Sequence, residues 1–313
     1  RARGPPGILH FLPGDGARSG KTLLAHPALS GVAFTGSNET ASIINRALAA
    51  RDGPFVSLIA ETGGMNAMIV DSSALPEQAV RDVLASAFDS AGQRCSAARL
   101  LFVQDDIAGR VIAMLRGAMA ELRVGDPLDY AMDIGPVIDA EARDKLNAHK
   151  SLMARSAATI LDLPLPQECE AGTFVSPAAF ELQAIGQLKR EIFGPVLHVV
   201  RFAGNRLAQV CESINATGFG LTLGIHTRIE TTVNEVRQRV KVGNMYVNRN
   251  QIGAVVGAQP FGGEGLSGTG PKAGGARYLH RFATERVCST DTTASGGNAA
   301  LMSLEAGSRL SPG

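Results

Sequence analysis

The chain has 313 residues, 45% of them apolar and 19% charged, against a usual charged share of about 25%, which is a globular and not a disordered composition. Lys and Arg number 30 and Asp and Glu 29, a net charge of +1 that leaves no basic face for nucleic acid or an anionic membrane. No apolar run reaches the roughly 18 to 20 residues of a membrane span, and the basic amino terminus lacks a signal-peptide core, so a soluble, cytoplasmic protein is expected.

From residue 8 short apolar runs alternate with helix-like stretches: 8–12, 31–34 and 55–59 are strand-like, while 21–26 and 40–50 look helical. This alternation predicts βαβ units on a parallel sheet. A helix is predicted over 76–90, with Pro76 in its first turn and Val80, Val83, Leu84 and Ala87 at helical spacing. It leads directly into Gly92-Gln93-Arg94-Cys95. Strands near 100–103, 196–202, 221–226 and 245–248 then alternate with helices near 107–122, 206–215 and 231–240, a second α/β layer system. After residue 256 the sequence is glycine-rich through Gly275, and 289–313 is small and polar, a tail expected to be mobile or completed by a partner surface. The chain opens on Arg1 in place of methionine, and a fragment or processed product is expected.

Glycine is abundant, 36 residues of 313 against about 7% on average, which implies many tight turns or close backbone approaches. Cys95, Cys169, Cys211 and Cys288 form no CxxC pair and no Cys/His cluster, so they read as free thiols without zinc. The six histidines show no metal-ligand spacing either. Gly20-Lys21-Thr22 invites a phosphate-binding P-loop, but the glycine that motif needs five residues earlier is Asp15, whose carboxylate would repel phosphate. Gly263-Glu264-Gly265-Leu266-Ser267-Gly268 matches GxGxxG as a string. Pro260 stands where the preceding strand should run, and no helix opens at Gly268, so a turn-rich loop is expected there.

Three features carry chemistry. In Phe34-Thr35-Gly36-Ser37 a strand ends at a glycine and at a hydroxyl residue in an N-cap position, where free N–H groups favour either an ordinary cap or a phosphate. In Ile59-Ala60-Glu61-Thr62-Gly63-Gly64 one carboxylate closes an apolar strand ahead of two glycines, a setting that raises a pKa and suits a general base. Cys95 follows in Gly92-Gln93-Arg94-Cys95-Ser96, a turn in which helix-terminal N–H groups or an arginine could favour the thiolate.

With Glu191-Ile192-Phe193-Gly194-Pro195, Gly243-Asn244-Met245-Tyr246-Val247-Asn248 and Pro260-Phe261-Gly262-Gly263, these stretches resemble, in order, the aldehyde dehydrogenase superfamily. Glu61-Thr62-Gly63-Gly64, the run from Asn248 through Gly253 to Gly257, and Gly265-Leu266-Ser267-Gly268-Thr269-Gly270-Pro271-Lys272 are most similar to its L-glutamate γ-semialdehyde (1-pyrroline-5-carboxylate) dehydrogenases, in the form found within bifunctional proline utilization A. The resemblance implies an α/β fold in three parts: residues 1–62 as the carboxy-terminal part of a Rossmann-type NAD-binding domain, 63–257 as the catalytic thiol domain, and 258–313 as a return to the NAD-binding and oligomerisation region with the tail. It implies NAD as cofactor, Cys95 as nucleophile and Glu61 as the base that activates water. It further implies Gly36 and Ser37 at the pyrophosphate, Glu191 at the nicotinamide ribose and Phe193 beside the nicotinamide. Ser96, Gly253 and Ala254 would anchor the substrate carboxylate.

The same resemblance implies a homo-oligomer, fused upstream to a proline dehydrogenase domain. Relatives carry further strands before the stretch matching Leu12-Pro13-Gly14-Asp15-Gly16, including an oxyanion-hole asparagine and an adenosine-binding lysine, and their absence here is a departure. The alternative expectation is a truncated, non-catalytic remnant that acts at most as a folding or association module.

Overall fold

The computed structural model describes residues 5, 7–255 and 257–291. The tail expected over 289–313 lies outside the described residues from 292 onward. The first strand expectation is corrected: residues 8–12 form no strand, and Ile8, Leu9, Phe11 and Leu12 are all exposed. A strand needs a ladder partner and a face to bury against, and this segment has neither among the described residues. Helix α1 (Gly16–Ala25) starts five residues before the expected position, capped by Asp15, whose carboxylate accepts from the Arg18 N–H at 2.7 Å. Gly20-Lys21-Thr22 therefore lies inside a helix, where its N–H groups are committed to the helix. A phosphate loop is excluded.

Strand β1 (Gly31–Thr35), helix α2 (Asn38–Ala49) and strand β2 (Ser57–Glu61) make one βαβ unit. The two strands pair in parallel with Thr35 opposite Glu61, which brings the starts of two loops to one edge. The expectation of a strand at 55–59 is shifted, since Phe55 is fully exposed and pairing begins at Ser57.

Among the described residues the larger sheet has seven strands in the order β10-β9-β3-β4-β7-β6-β5. Its middle is β3 (Ala67–Val70), β4 (Leu100–Gln104), β7 (Val196–Phe202) and β9 (Thr222–His226), runs whose residues are nearly all buried because helices cover both faces. Strand β10 (Asn244–Val247) adds to one side and β6 (Ala178–Leu182) to the other, all parallel, while β5 (Ala158–Asp162) closes the far edge antiparallel to β6. Helix α3 (Pro76–Phe88) buries Ala79, Val80, Val83 and Ala87 and packs on α4 (Asp105–Ala120), which buries Ala108, Val111, Leu115 and Met119 at the three-and-four spacing of one face. Helices α6 (Leu207–Asn215) and α7 (Glu230–Arg239) pack together, with α6 beside β8 (Phe219–Gly220).

Helix α5 (Ala140–Ser156) and strands β3, β5 and β6 were not expected from the sequence. In α5 only Leu146 and Met153 are buried apolar residues, and the third buried position is Lys150. Its ammonium is neutralised by Asp162 at 2.7 Å and bonded to the Ser176 hydroxyl at 2.8 Å. A buried cation breaks the apolar stripe by which such a helix is read.

The glycine-rich stretch after Pro260 is a turn-rich loop, as the GxGxxG string was expected to be. Its only strand among the described residues, β11 (Glu264–Gly265), pairs antiparallel with β8. Residues 266–269 then run beside the end of β2: Ser267 O accepts from Thr62 N–H at 3.0 Å, and Thr269 N–H donates to Ala60 O at 2.9 Å. The chain divides into two units, residues 1–281, which hold the three sheets of the described residues, and 282–313, of which 282–291 are described.

Leu101 in β4 is wholly buried, whereas Leu152 in α5 is 49% exposed. Leu101→Ala is expected to cost about 2–5 kcal/mol in urea unfolding, and Leu152→Ala under about 1; equal losses would contradict this placement of the core.

Candidate active site

The cysteine sits where an irregular loop enters the amino-terminal edge of β4. After α3 the chain turns through Ser90, Ala91 and Gly92 with φ of 58°, 55° and 64°, three successive left-handed residues. For the two non-glycines this costs about 1–2 kcal/mol each, so the surroundings must hold the turn. At Gly92 a Cβ would lie 2.2 Å from Gly194 O, which leaves room for glycine alone. Gln93 clamps the outside, donating to Pro136 O at 3.2 Å and accepting from Ile138 N–H at 2.8 Å.

Inside the loop, side chains replace the ladder that the backbone lacks. Asn66 Nδ2 donates to Cys95 O at 2.6 Å and Ala97 O at 3.0 Å, while Asn66 Oδ1 accepts from Thr222 N–H at 3.1 Å. Ser96 O receives the Thr222 hydroxyl at 3.1 Å and Gln251 Nε2 at 3.4 Å. Arg99, 1% exposed, donates to Gly92 O at 2.6 Å and Arg94 O at 3.0 Å.

Cys95 itself is half-buried. Burial and then the charge of Glu191 push its thiol up, and the Ser96 and Cys95 N–H groups and Arg99 pull it down by less. This corrects the expectation of a turn that favours thiolate. Arg94 is not the cation that bears on the sulfur: its Nε is bound to Ser90 Oγ at 3.0 Å, and its Nη1 lies 3.6 Å from where a Cβ on Gly253 would stand. The other three thiols are also unpaired. Cys169 and Cys211 are buried and Cys288 is exposed; burial raises Cys211 to about 11.

Glu191 pairs with Arg99, whose Nη2 and Nε lie 3.1 and 3.3 Å from Oε1. Burial raises its pKa, and Arg99 and the Gly64 N–H oppose the shift. A Cβ at Gly63 would meet Glu191 Oε2 at 1.8 Å, so a glycine is required for the carboxylate to lie against the backbone. Phe193 is 45% exposed, with the Arg99 guanidinium carbon 5.0 Å from its ring centroid.

Glu61 ends β2 with its carboxylate turned into the glycine-rich loop. Oε2 accepts the Gly263 N–H at 3.2 Å, and Oε1 is buried with no hydrogen-bond partner among the described residues. A Cβ at Gly262 would stand 2.6 Å from Oε1. Burial lifts Glu61 to about 7, against the pull of the Gly263 N–H and the Lys272 ammonium. Gly36 N–H donates to Glu61 O at 3.1 Å, and Ser37 caps α2 by accepting from Thr40 N–H at 3.1 Å. Gly36, Ser37 and Glu61 thus share one edge of the small sheet.

Cys95, Ser96, Gly253 and Ala254 line one cavity of about 490 Å3, with Arg94 and Phe261 among its other walls. Gly253 takes φ +70° there, which favours glycine. Glu61, Ser37, Glu191 and Phe193 do not line that cavity. Sequence alone singled out neither Asn66, Arg99 nor Thr222; it named Gln251 only within the run through Ala254 that offers backbone N–H groups, and it gave Lys272 no role. The available signal for Asn66 and Arg99 was a polar residue leading an otherwise apolar strand run, since buried polar groups need assigned partners.

The chain is similar in sequence and in fold to known proteins. The chain is 56% identical over 290 residues to the bifunctional protein PutA of Salmonella typhimurium, covering 90% of this chain and 22% of that protein. A solved mutant of Bradyrhizobium japonicum proline utilization A superposes with a TM-score of 0.89 at 57% identity, over 93% of this chain and 30% of that one. A Thermus 1-pyrroline-5-carboxylate dehydrogenase solved with bound NAD gives 0.82 at 36% identity, over 89% of this chain and 54% of that one. The chain therefore spans about a fifth to a half of the length of these relatives. Residues 1–287 match the aldehyde dehydrogenase family model, and the chain belongs to the aldehyde dehydrogenase family.

Proposed function

We propose that this chain is the aldehyde-oxidising part of a bifunctional proline-catabolic enzyme, and that it oxidises L-glutamate γ-semialdehyde, the open form of 1-pyrroline-5-carboxylate, to L-glutamate. The observation that carries this reading is the cavity that joins Cys95 to Ser96, Gly253 and Ala254. A nucleophile at one place and anion-binding donors a short carbon chain away suit an aldehyde with a distal carboxylate. The similarity to 1-pyrroline-5-carboxylate dehydrogenase supports the same substrate.

Residues 1–62 are assigned to cofactor binding, 63–257 to the thiol chemistry and 258–313 to a return to the cofactor side and oligomer contacts. NAD is the proposed cofactor, and the NAD-bound Thermus relative supports it. The residues present fit it. The Gly63 cradle holds Glu191 beside a half-exposed Phe193 ring, and the first turn of α2 offers free N–H groups next to Gly36 and Ser37. Glu191 would hold the nicotinamide ribose, Phe193 would pack beside the nicotinamide, and Gly36 and Ser37 would hold the pyrophosphate. When bound, NAD supplies the two-electron acceptor for the hydride leaving the aldehyde carbon.

Cys95 Sγ adds to that carbon, and the resulting thiohemiacetal oxyanion is held by backbone N–H groups of the cysteine loop. Loss of hydride leaves a thioester on Cys95. Glu61 takes a proton from a water molecule, which attacks the acyl carbon, so that glutamate departs and the thiol is restored. The unpartnered Oε1 is the atom suited to this proton. Ser96 and the Gly253 and Ala254 N–H groups face the substrate carboxylate, with the Arg94 guanidinium beside them. An upstream proline dehydrogenase domain, a homo-oligomer and a cytoplasmic location complete the proposal; among the described residues no helix is long and apolar enough to cross a membrane.

Two results are expected from the full-length protein. It prefers glutamate semialdehyde to pentanal by at least about 100-fold in kcat/KM, because an aldehyde without the carboxylate leaves several donors unpaired at about 1–3 kcal/mol each, and Ser96→Ala shrinks that ratio. Equal kcat/KM for the two aldehydes would sink the assignment. Thioester hydrolysis requires Glu61 ionised, so its rate rises with pH through the carboxyl's pKa of about 7. The Lys272 charge lowers that pKa, and Lys272→Met is therefore expected to move the rising limb to higher pH; a limb that stays in place or moves to lower pH would contradict the role of Glu61.

A further inference from the structure

We infer that Arg99 is a positioning residue that binds the Cys95 loop and the Glu191 carboxylate into one electrostatic unit, an inference that rests on the roles proposed above for Cys95 and Glu191. The side chain reaches both with one rigid fork: Nη1 to Gly92 O at 2.6 Å, Nη2 to Arg94 O at 3.0 Å and to Glu191 Oε1 at 3.1 Å, and Nε to the same Oε1 at 3.3 Å. Its stem is equally fixed. Arg99 N–H donates to Asn66 O at 2.9 Å, and Arg99 O accepts from His198 N–H at 3.0 Å. His198 Nδ1 also stands 3.0 Å from Arg99 O, and burial lowers this histidine to about 3. The neutral ring can therefore donate Nδ1–H to the carbonyl and accept at Nε2 from His149 Nε2, 2.8 Å away.

Holding carbonyls does not by itself call for a cation. Asn66, Thr222 and Gln251 hold the Cys95, Ser96 and Ala97 carbonyls of the same loop with neutral donors. A fully buried guanidinium is expensive unless a counter-charge meets it, and Glu191 is its one ion-pair partner among the described residues. The thiol of Cys95 is the other group that responds to both charges, raised by Glu191 and lowered by Arg99. Other titratable groups nearby are Tyr246, whose hydroxyl feels charge on Cys95, and Glu39, whose charge bears on Glu191. Phe193 covers the guanidinium on the exposed side. Arg99 is thus placed to fix the geometry of the nucleophile loop and to offset the carboxylate that would otherwise suppress the thiolate.

The test is the pH dependence of iodoacetamide alkylation at Cys95, mapped by peptide mass spectrometry on the full-length protein without NAD or aldehyde. Below the pKa of the thiol, the reactive thiolate fraction changes about tenfold when that pKa moves by about one, and the alkylation rate follows it. Glu191→Gln is expected to lower the pH midpoint and quicken alkylation at pH 8 about threefold to tenfold. Arg99→Met is expected to raise the midpoint and slow alkylation about tenfold or more, Arg99→Lys to recover part of that loss, and Arg99→Met with Glu191→Gln to return to within about threefold of the native rate. A purely structural role would not produce this compensation. An unchanged rate in Glu191→Gln, or a double variant no faster than Arg99→Met, overturns the inference; if Arg99→Met does not fold, Glu191→Gln alone decides. The readout needs no turnover, so failure of the proposed aldehyde oxidation and failure of this coupling are separate results.

Discussion

The loop that carries Cys95 is buried but belongs to no strand or regular helix, and a buried backbone carbonyl without a donor is costly. Everything around the cysteine follows from meeting that demand. Asn66 at the entry of β3, Thr222 at the start of β9, Gln251 in the loop after β10 and Arg99 at the entry of β4 between them give side-chain donors to the carbonyls of Gly92, Arg94, Cys95, Ser96 and Ala97, with Thr222 and Gln251 sharing that of Ser96. Because those four residues lead from neighbouring strands or the loop beyond them, the position of the sulfur is set by the register of the large sheet. The left-handed turn at Ser90 and Ala91 persists for the same reason, since relaxing it would break bonds on several elements at once.

Burial also sorts the two carboxylates. Glu61 is enclosed by glycines that admit its oxygens and meets a single N–H, so desolvation outweighs the stabilisation and the group titrates near neutrality. Glu191 is more deeply enclosed but faces a guanidinium at hydrogen-bond distance. Glu61 is therefore poised to exchange a proton, whereas Glu191, though burial raises it as well, is held in an ion pair where it accepts hydrogen bonds from Arg99. Gly63 and Gly262 serve this division through absence of a side chain, since a Cβ would collide with the Glu191 carboxylate at the first and with that of Glu61 at the second.

Much of this was legible in the chain. Strands β4, β7, β9 and β10 are apolar runs at the expected places, Ser37 is the cap of α2, and Cys95 stands in the irregular turn that the Gly92-Gln93-Arg94-Cys95 stretch announced. What was hidden is what tertiary context alone decides. Helix α5 was obscured by its buried Lys150, and β3 by its length of four residues between Gly64 and Asp71. Residues 8–12 have strand composition without a partner to pair with. Arg99 was passed over for another reason: a lone arginine leading an apolar strand run reads as an exposed edge, and only the fold brings Glu191 to it from 92 residues away.

The central claim is that Cys95 carries the acyl group and Glu61 releases it. It is tested most directly by mass spectrometry of the Glu61→Gln full-length protein after mixing with NAD and glutamate semialdehyde. The predicted result is a glutamyl adduct confined to the peptide containing Cys95, persisting after free aldehyde is removed and absent from the native enzyme treated in the same way. An adduct on a different residue, or continued formation of glutamate with no adduct, would contradict it.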